Sequence, residues 1–146
     1  MGNDGGISYA VGIATRKIGI TVDYTLSIIL PAKNEAANLP ALLARLVMRF
    51  PTAEILVVDD GSTDATARVC REQGVRVVRH PYSMGNGAAI KTGARHATGD
   101  ILAFMDADGQ HDSADIDRLL AKLDEGYEMV VGARQADTHA SLGRRL

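Results

Sequence analysis

The chain has 146 residues, of which 46% are hydrophobic and 23% are charged, and its formal net charge is -2. This composition is typical of one soluble globular domain and excludes disordered, collagen-like and membrane-spanning chains. The near-neutral charge also argues against a nucleic-acid partner, because nucleic-acid-binding domains carry a basic excess. The single cysteine, Cys70, lies in an apolar helical stretch, which favours a buried, inert thiol and a reducing, cytoplasmic compartment.

Residues 1–24 precede any clear pattern. The segment is rich in glycine and shows no apolar repeat that predicts a helix or a strand. It also lacks the basic and then apolar layout of a secretion signal. We therefore expect a weakly patterned, poorly ordered leader over 1–24 and a folded domain over 25–146.

From Leu26 onward, short apolar runs alternate with helical patterns. The first predicted strand, 26–30, ends at Pro31 and precedes a helix that Asn38 caps. Four more strands are predicted at 54–58, 75–78, 100–105 and 127–131, and three more helices begin at Ser62 or Thr63, after the turn 84–87, and at Asp112 or Ser113. Apolar strands separated by helices predict an α/β fold, with a mostly parallel sheet covered by helices on both faces.

Polar clusters follow three of the predicted strands. They are 31–35 after the first strand, 59–62 after the second and 106–110 after the fourth. Because ligands bind beyond the carboxyl ends of parallel strands, we expect these clusters to share one rim of the sheet. Two clusters are acidic, and carboxylates gathered without basic partners repel one another unless a cation or a hydrogen-bonding ligand stabilises them.

Asp106 and Asp108 are the most specific functional signal in these clusters. Two carboxylates separated by one small residue at a strand exit can face the same hard cation, and Mg²⁺ completes its shell with water and substrate phosphates. The pair therefore predicts a metal–diphosphate platform, with a solvated turn as the alternative. An EF-hand would need glycine where His111 stands. An aspartyl-phosphate phosphatase would normally carry its pair after the first core strand.

The other polar residues are less specific. Asp59 and Asp60 suit hydrogen bonds from a ribose or a base, but equally a helix N-terminus, and Glu35 has the same two interpretations. The turn with Gly85 and Gly87 lacks the spacing of the dinucleotide-binding fingerprint. The four histidines are scattered, and His111 is the one near the acidic centre.

Four segments together resemble the family 2 glycosyltransferases, and the similarity is greatest to the dolichyl- or polyprenyl-phosphate sugar synthases. The segments are SIILPAKNEAANL, EILVVDDGSTDAT, NGAAIKTGARHATGDILAFMDADGQHD and VVGAR. The resemblance runs from Leu26 to about Arg134, and the combination is far more specific than any one motif. It implies a GT-A fold, which is Rossmann-like, and an inverting transfer in cell wall or glycan biosynthesis.

The resemblance also implies partners and roles for particular residues. The donor would be a UDP- or GDP-linked sugar, and the acceptor would be a polyprenyl phosphate at the cytoplasmic face of the membrane. Asp108 would be the catalytic residue, and Asp106, Asp108 and Gln110 would hold Mg²⁺ or Mn²⁺. The implied substrate-binding residues are Pro31, Ala32, Lys33, Glu35, Val58, Asp59, Asp60, Asp106, Ala107 and Arg134, and Arg144 and Arg145 would contact the acceptor phosphate.

The sequence departs from the family pattern at four places, one of which is Ser113 in place of a frequent proline. Lys33 stands where many relatives have an aromatic residue, and Asn86 stands where some have lysine. Relatives continue well past the position of Leu146, so we expect a C-terminally incomplete domain. Three alternatives to the polyprenyl-phosphate reaction stay open at this point: donor binding without transfer, transfer to a glycan acceptor, and phosphatase activity.

Overall fold

The computed structural model describes residues 9–15, 24–109, 112–126, 129–133 and 144–145. Within these ranges, seven strands form one sheet in the order β4-β3-β2-β5-β1-β6-β7. The strands are β1 (Tyr9–Thr15), β2 (Leu26–Ala32), β3 (Glu54–Asp59), β4 (Arg76–Arg79), β5 (Ile101–Met105), β6 (Met129–Ala133) and β7 (Arg144–Arg145). The helices are α1 (Leu39–Arg49), α2 (Thr66–Glu72), α3 (Asn86–His96) and α4 (Ala114–Asp124).

Four neighbouring strands, β4, β3, β2 and β5, form the parallel part of the sheet. Ile28 of β2 pairs with Ile55 of β3 on one side and with Ala103 of β5 on the other. The predicted α/β class with a mostly parallel sheet is confirmed. The carboxyl ends of these strands lie at one edge, where the Asp60 N–H donates to the Ala32 carbonyl at 2.8 Å.

The strands are apolar because both faces of the parallel sheet are covered. Ile28 and Leu30 pack into one cluster with the buried face of α1, whereas Ile29 packs with Ala89 of α3 on the other face. This alternation follows from the period of two along a strand. Cys70 is buried in the first cluster, and burial raises the pKa of its thiol to about 11, so the thiol is protonated at neutral pH.

The strand β1 differs from the expectation for the leader. Tyr9–Thr15 lies inside the sheet and pairs antiparallel with both β5 and β6. A short apolar run with a central glycine, Gly12, is a weak signal for a strand. The strands that pair with it, β5 and β6, are distant in sequence, so no neighbouring pattern indicates the pairing. The expectation of a poorly ordered leader was therefore wrong for these seven residues.

Element starts differ from the prediction where side chains bind backbone. The helix α2 begins at Thr66, later than Ser62 or Thr63, because the N–H groups of Ser62 and Thr63 bond to Asp59 and Asn34 in a loop. Asn38 precedes α1, but its side chain makes no capping bond and donates to Glu35 instead. Among the helices described here, none has the length and apolar character needed to cross a membrane.

Candidate functional site

A cavity of about 290 Å³ opens at the carboxyl ends of β2 and β3. It is lined by Pro31, Ala32, Lys33, Asp60, Ser83, Gly85, Asn86 and Ala89. The end of β2 supplies one wall, and the loop before α3 together with the first turn of that helix supplies the other. The predicted convergence of strand ends is thus visible in the structure, with two of the three polar clusters lining or bordering one cavity.

Side chains of the first two clusters fasten the two strand-end loops to each other. Asn34, which has φ of 54°, accepts from the Thr63 N–H at 2.8 Å, and its own N–H donates to the Ser62 hydroxyl at 2.9 Å. The Glu35 N–H donates to the Thr66 hydroxyl at 3.0 Å. Several polar residues of the recognised motifs therefore hold backbone in place, which positions the residues that face the cavity.

Asp60 is the most heavily bonded carboxylate at this edge. It is 6% exposed and accepts from the His80 ring at 2.9 Å, the Met84 N–H at 2.7 Å, the Gly85 N–H at 3.0 Å and the Ser83 hydroxyl at 3.2 Å. Burial by itself would raise the pKa of Asp60, but these hydrogen bonds favour the ionised form and together lower the pKa below its usual value. Asp60 therefore anchors the loop that forms the second cavity wall.

The neighbouring Asp59 has a different environment. Its carboxylate is fully buried, Oδ1 accepts from the Ser62 N–H at 2.9 Å, and Oδ2 lies 3.5 Å from Arg79 Nε. Within the described part of the chain, Oδ2 accepts no hydrogen bond. Asp59 does not line the cavity, so a contact between this carboxylate and a donor stays a prediction.

Backbone geometry explains two glycines at the cavity. Gly61 has φ of +70°, and a Cβ there would lie 2.5 Å from Ser83 N, so the 81–85 loop can approach Asp60 closely only where residue 61 has no side chain. Gly85 has φ of +98° and immediately precedes α3. Lys33 reaches across the cavity, where its ammonium donates to the Ser83 hydroxyl at 3.0 Å.

Asp106 and Asp108 follow β5, the other neighbour of β2. Both residues are half-buried, and Ala107 between them is buried in the core. A Cβ built on Gly109 would lie 3.8 Å from the Cβ of Asn38. The loop that follows β5 therefore meets the loop that carries Glu35. All three polar clusters therefore lie at one edge of the sheet.

Asp106 and Asp108 are the candidate ligands for a divalent metal at this edge. In the described ranges, no group of three or more His, Cys, Asp and Glu side chains could hold an ion. Two carboxylates are nevertheless the number that Mg²⁺ usually takes from a protein when substrate phosphates complete its shell. The described residues therefore fit a metal that is bound together with a diphosphate.

The remaining predicted site residues are in other positions. Val58 is buried in the core beneath α3. Gln110 and Arg134 lie outside the described residues, and Arg144 and Arg145 form β7, which pairs with β6. His80, which sequence reasoning left among the scattered histidines, is buried at the cavity wall. It lies two residues after the predicted strand 75–78, near the strand ends where ligands bind, and this position was a weak signal for it.

Sequence comparisons relate most of the chain to known proteins. Residues 27–145 match the family described as Glycosyl transferase family 2. An uncharacterized glycosyltransferase of Mycobacterium tuberculosis is 41% identical over 110 residues, which cover 75% of this chain and 49% of the relative. An undecaprenyl-phosphate 4-deoxy-4-formamido-L-arabinose transferase of Klebsiella pneumoniae is 38% identical over 120 residues, which cover 75% of this chain and 37% of the relative. The chain spans half or less of the length of these relatives.

Solved structures show the same fold. Glucosyl-3-phosphoglycerate synthase from Mycobacterium tuberculosis, in complex with Mn²⁺, UDP and glucosyl-3-phosphoglycerate, has a TM-score of 0.62 and 30% identity, with 70% of this chain and 40% of that chain covered. A mannosyltransferase from Pyrobaculum calidifontis, in complex with GDP-Man and Mn²⁺, has a TM-score of 0.57 and 30% identity, with 60% and 28% covered. The fold is that of the GT-A glycosyltransferases. Because the family match covers residues 27–145, which is most of the sequence, the chain belongs to glycosyl transferase family 2.

Proposed function

We propose that this chain binds a nucleoside-diphosphate sugar, UDP- or GDP-linked, for inverting transfer of the sugar to a polyprenyl phosphate such as dolichyl or undecaprenyl phosphate. The observation that carries the proposal is the edge of the sheet where the 290 Å³ cavity, lined in part by Asp60, lies beside β5, the strand that Asp106 and Asp108 follow. A nucleotide needs a polar cavity and its diphosphate needs a cation, and this edge offers groups for both.

The cavity residues are the proposed contacts to the nucleoside. Pro31 and Ala32 give one wall, and the ammonium of Lys33 together with the N-terminus of α3 gives positive charge for an anionic ligand. Asp60 borders the same space. Five further residues remain donor-contact predictions from the family resemblance: Glu35, Val58, Asp59, Ala107 and Arg134.

Asp106 and Asp108 are the proposed metal ligands, together with Gln110, and Mn²⁺ or Mg²⁺ is the proposed metal. The solved relatives named above contain Mn²⁺ with GDP-Man or UDP. When bound, such an ion would offset the negative charge that develops on the departing nucleoside diphosphate. The two carboxylates, on either side of the buried Ala107, would hold the ion, and the ion would bind the diphosphate.

A phosphate acceptor fits the chemistry of this edge. The oxygen of a lipid phosphate is ionised near neutral pH, so the reaction does not require a strong general base. We propose that Arg144 and Arg145 contact the acceptor phosphate, because arginine binds phosphate with two parallel hydrogen bonds. The Klebsiella relative is named for transfer to undecaprenyl phosphate, which supports a polyprenyl phosphate acceptor and a place at the membrane surface.

Donor binding without transfer is the second candidate function. It is supported by the cavity and the acidic pair after β5, because these are the groups proposed to bind the donor. Titration calorimetry with UDP-glucose and GDP-mannose, each with and without MnCl₂, tests donor binding. Sugar transfer to undecaprenyl phosphate or to a glycan then separates transfer from binding alone. Phosphate release from small phosphomonoesters, without nucleotide-sugar binding, would instead support a phosphatase.

Asp108→Asn tests the proposed metal site. The amide keeps the size of the side chain and removes its charge, so we expect a loss of about a hundredfold or more in metal-dependent transfer. In calorimetry, the Mn²⁺-dependent part of donor binding should disappear. Asp124→Asn, at an exposed position at the end of α4, is the matched control and should bind like the unchanged chain. Equal Mn²⁺-dependent binding by both variants would contradict the assignment.

A further inference from the structure

His80 joins three elements behind the cavity. It follows β4, and its backbone N–H donates to the Asp59 carbonyl at the end of β3 at 2.8 Å. Its ring Nδ1 lies 2.9 Å from Asp60 Oδ1, and its ring Nε2 lies 2.8 Å from the Thr92 hydroxyl on α3. The residue is 6% exposed, and no role in the proposed chemistry requires it. A polar ring held so completely away from solvent calls for a structural or positioning role.

The chemistry of the contacts fixes the direction of one hydrogen bond. Because the pKa of Asp60 is lowered, its carboxylate is ionised near neutral pH and can only accept. Nδ1 of His80 must therefore carry a proton and donate to Asp60 Oδ1. Nε2 forms a second hydrogen bond, with the Thr92 hydroxyl, so the ring cannot rotate without losing both partners.

The orientation of the Asp60 carboxylate in turn fixes the position of the cavity wall. The same carboxylate accepts from three consecutive residues of the loop, namely Ser83, Met84 and Gly85. Ser83 also accepts from Lys33 on the opposite wall, and Gly85 lines the cavity. A rotation of the carboxylate would therefore shift both the loop and the partner of Lys33.

We propose that His80 is a positioning residue of the donor pocket, which orients Asp60 so that the 83–85 wall is held in the shape that binds the nucleotide. The inference rests on the proposed function, since it concerns the same cavity. It assigns no contact between His80 and the ligand. Loss of a hydrogen bond to a buried, ionised carboxylate is expected to weaken nucleotide binding about tenfold or more.

Three substitutions separate positioning from simple packing. In His80→Asn the side-chain amide can take the place of Nδ1 and keep the bond to Asp60. In His80→Gln the amide can take the place of Nε2 and keep the bond to Thr92. His80→Leu fills the space and keeps neither. Thr92→Val is a milder variant that removes the second bond alone, and it remains informative if the leucine variant does not fold.

The experiment has two readouts on the intact chain. Calorimetry gives the Kd of UDP and of GDP with MnCl₂, and hydrogen exchange without nucleotide gives the protection of the Met84 and Gly85 amides. We expect His80→Leu and His80→Gln to bind about tenfold or more weakly and to exchange both amides at least about tenfold faster. His80→Asn should stay within about threefold of the unchanged chain in both readouts.

The outcomes distinguish this inference from the proposed function. Unchanged protection and unchanged Kd in His80→Leu would overturn the positioning role while the proposed function stands. Equal losses in the asparagine and glutamine variants would also overturn it, because a packing role does not depend on which nitrogen is kept. If the unchanged chain binds neither UDP nor GDP with MnCl₂, the proposed function fails, and the donor-pocket inference fails with it.

Discussion

Single polar side chains at the strand ends have two tasks in this chain. Asn34, Ser62 and Thr66 bond to backbone of the neighbouring loop, whereas Lys33 and Asp60 also border the cavity. These strand-end residues therefore hold the loops in place as well as border the cavity. This follows from the cost of leaving backbone N–H groups unpaired near a sheet edge, which side-chain oxygens remove.

Asp60→Asn tests the contribution of the buried carboxylate to stability. The folded pKa is lowered, so the stabilisation is complete above the ordinary pKa of about 3.9 and is lost as pH falls through the lower folded value. We expect the variant to lose about 2 kcal/mol in the free energy of unfolding at pH 7. The loss should shrink below the ordinary pKa, because Asp60 of the unfolded chain then binds a proton and unfolding becomes more favourable.

Urea unfolding of both proteins at pH 7 and at about pH 3, above and below the ordinary carboxyl pKa, measures the loss in the free energy of unfolding. The exposed Asp124→Asn variant is the control, with an expected change within about 0.5 kcal/mol at both pH values. A loss for Asp60→Asn that is equally large in acid would show that shape, and not charge, dominates the effect.

The helix α3 lies unusually close to the sheet. Gly93 is buried at the contact, where a Cβ would overlap Ile29 Cγ2 of β2 and lie 3.4 Å from Val58 Cγ2 of β3. The close approach also places the first turn of α3 at the cavity and Thr92 within reach of His80. The position of one cavity wall therefore depends on the absence of a single side chain.

Gly93→Ala is expected to destabilise the fold by about 1–3 kcal/mol, because overpacking forces the helix or the β-branched Ile29 to move. Gly87→Ala, in the first turn of the same helix, is the matched control. A Cβ there meets nothing within 4 Å, and alanine favours the helix by up to about 1 kcal/mol. The Tm of Gly93→Ala should fall and the Tm of Gly87→Ala should rise relative to the unchanged chain. A stabilised Gly93→Ala would disprove the close packing.

Across the whole sheet, β1 is the link between its two parts. β5 and β6 do not neighbour each other in the strand order, and each pairs with β1. The parallel strands that carry the site thus connect to β6 and β7 through a strand from near the start of the chain. This order makes the N-terminal segment part of the same sheet as the candidate site.

Removal of residues 1–15 is expected to lower the Tm by at least about 5 °C, because it leaves the edges of β5 and β6 without hydrogen-bond partners. Gly12→Pro should have a similar effect, since proline removes a backbone N–H inside the sheet. Gly12→Ala keeps that N–H and should cost less. Differential scanning calorimetry measures all three, and an unchanged Tm in both the deletion and the proline variant would refute the role of β1.

Chain order and apolar patterning were sufficient to predict the parallel strands, the four helices and the convergence of three polar clusters at one edge. The physical reason is that strands buried on both faces must be apolar, and that parallel strands have their carboxyl ends at the same edge of the sheet. The acidic pair at Asp106 and Asp108 could be found for the same reason, since its position after an apolar run sufficed.

Long-range contacts determined the rest. The pairing of β1, the four hydrogen bonds to Asp60 and the contacts that bury His80 join residues that are 12 or more positions apart, and no local pattern encodes such partners. A carboxylate that faces a ligand and one that anchors a loop look alike in the sequence. Burial and hydrogen-bond geometry distinguish them, because an ionised oxygen removed from water must find its donors within the fold.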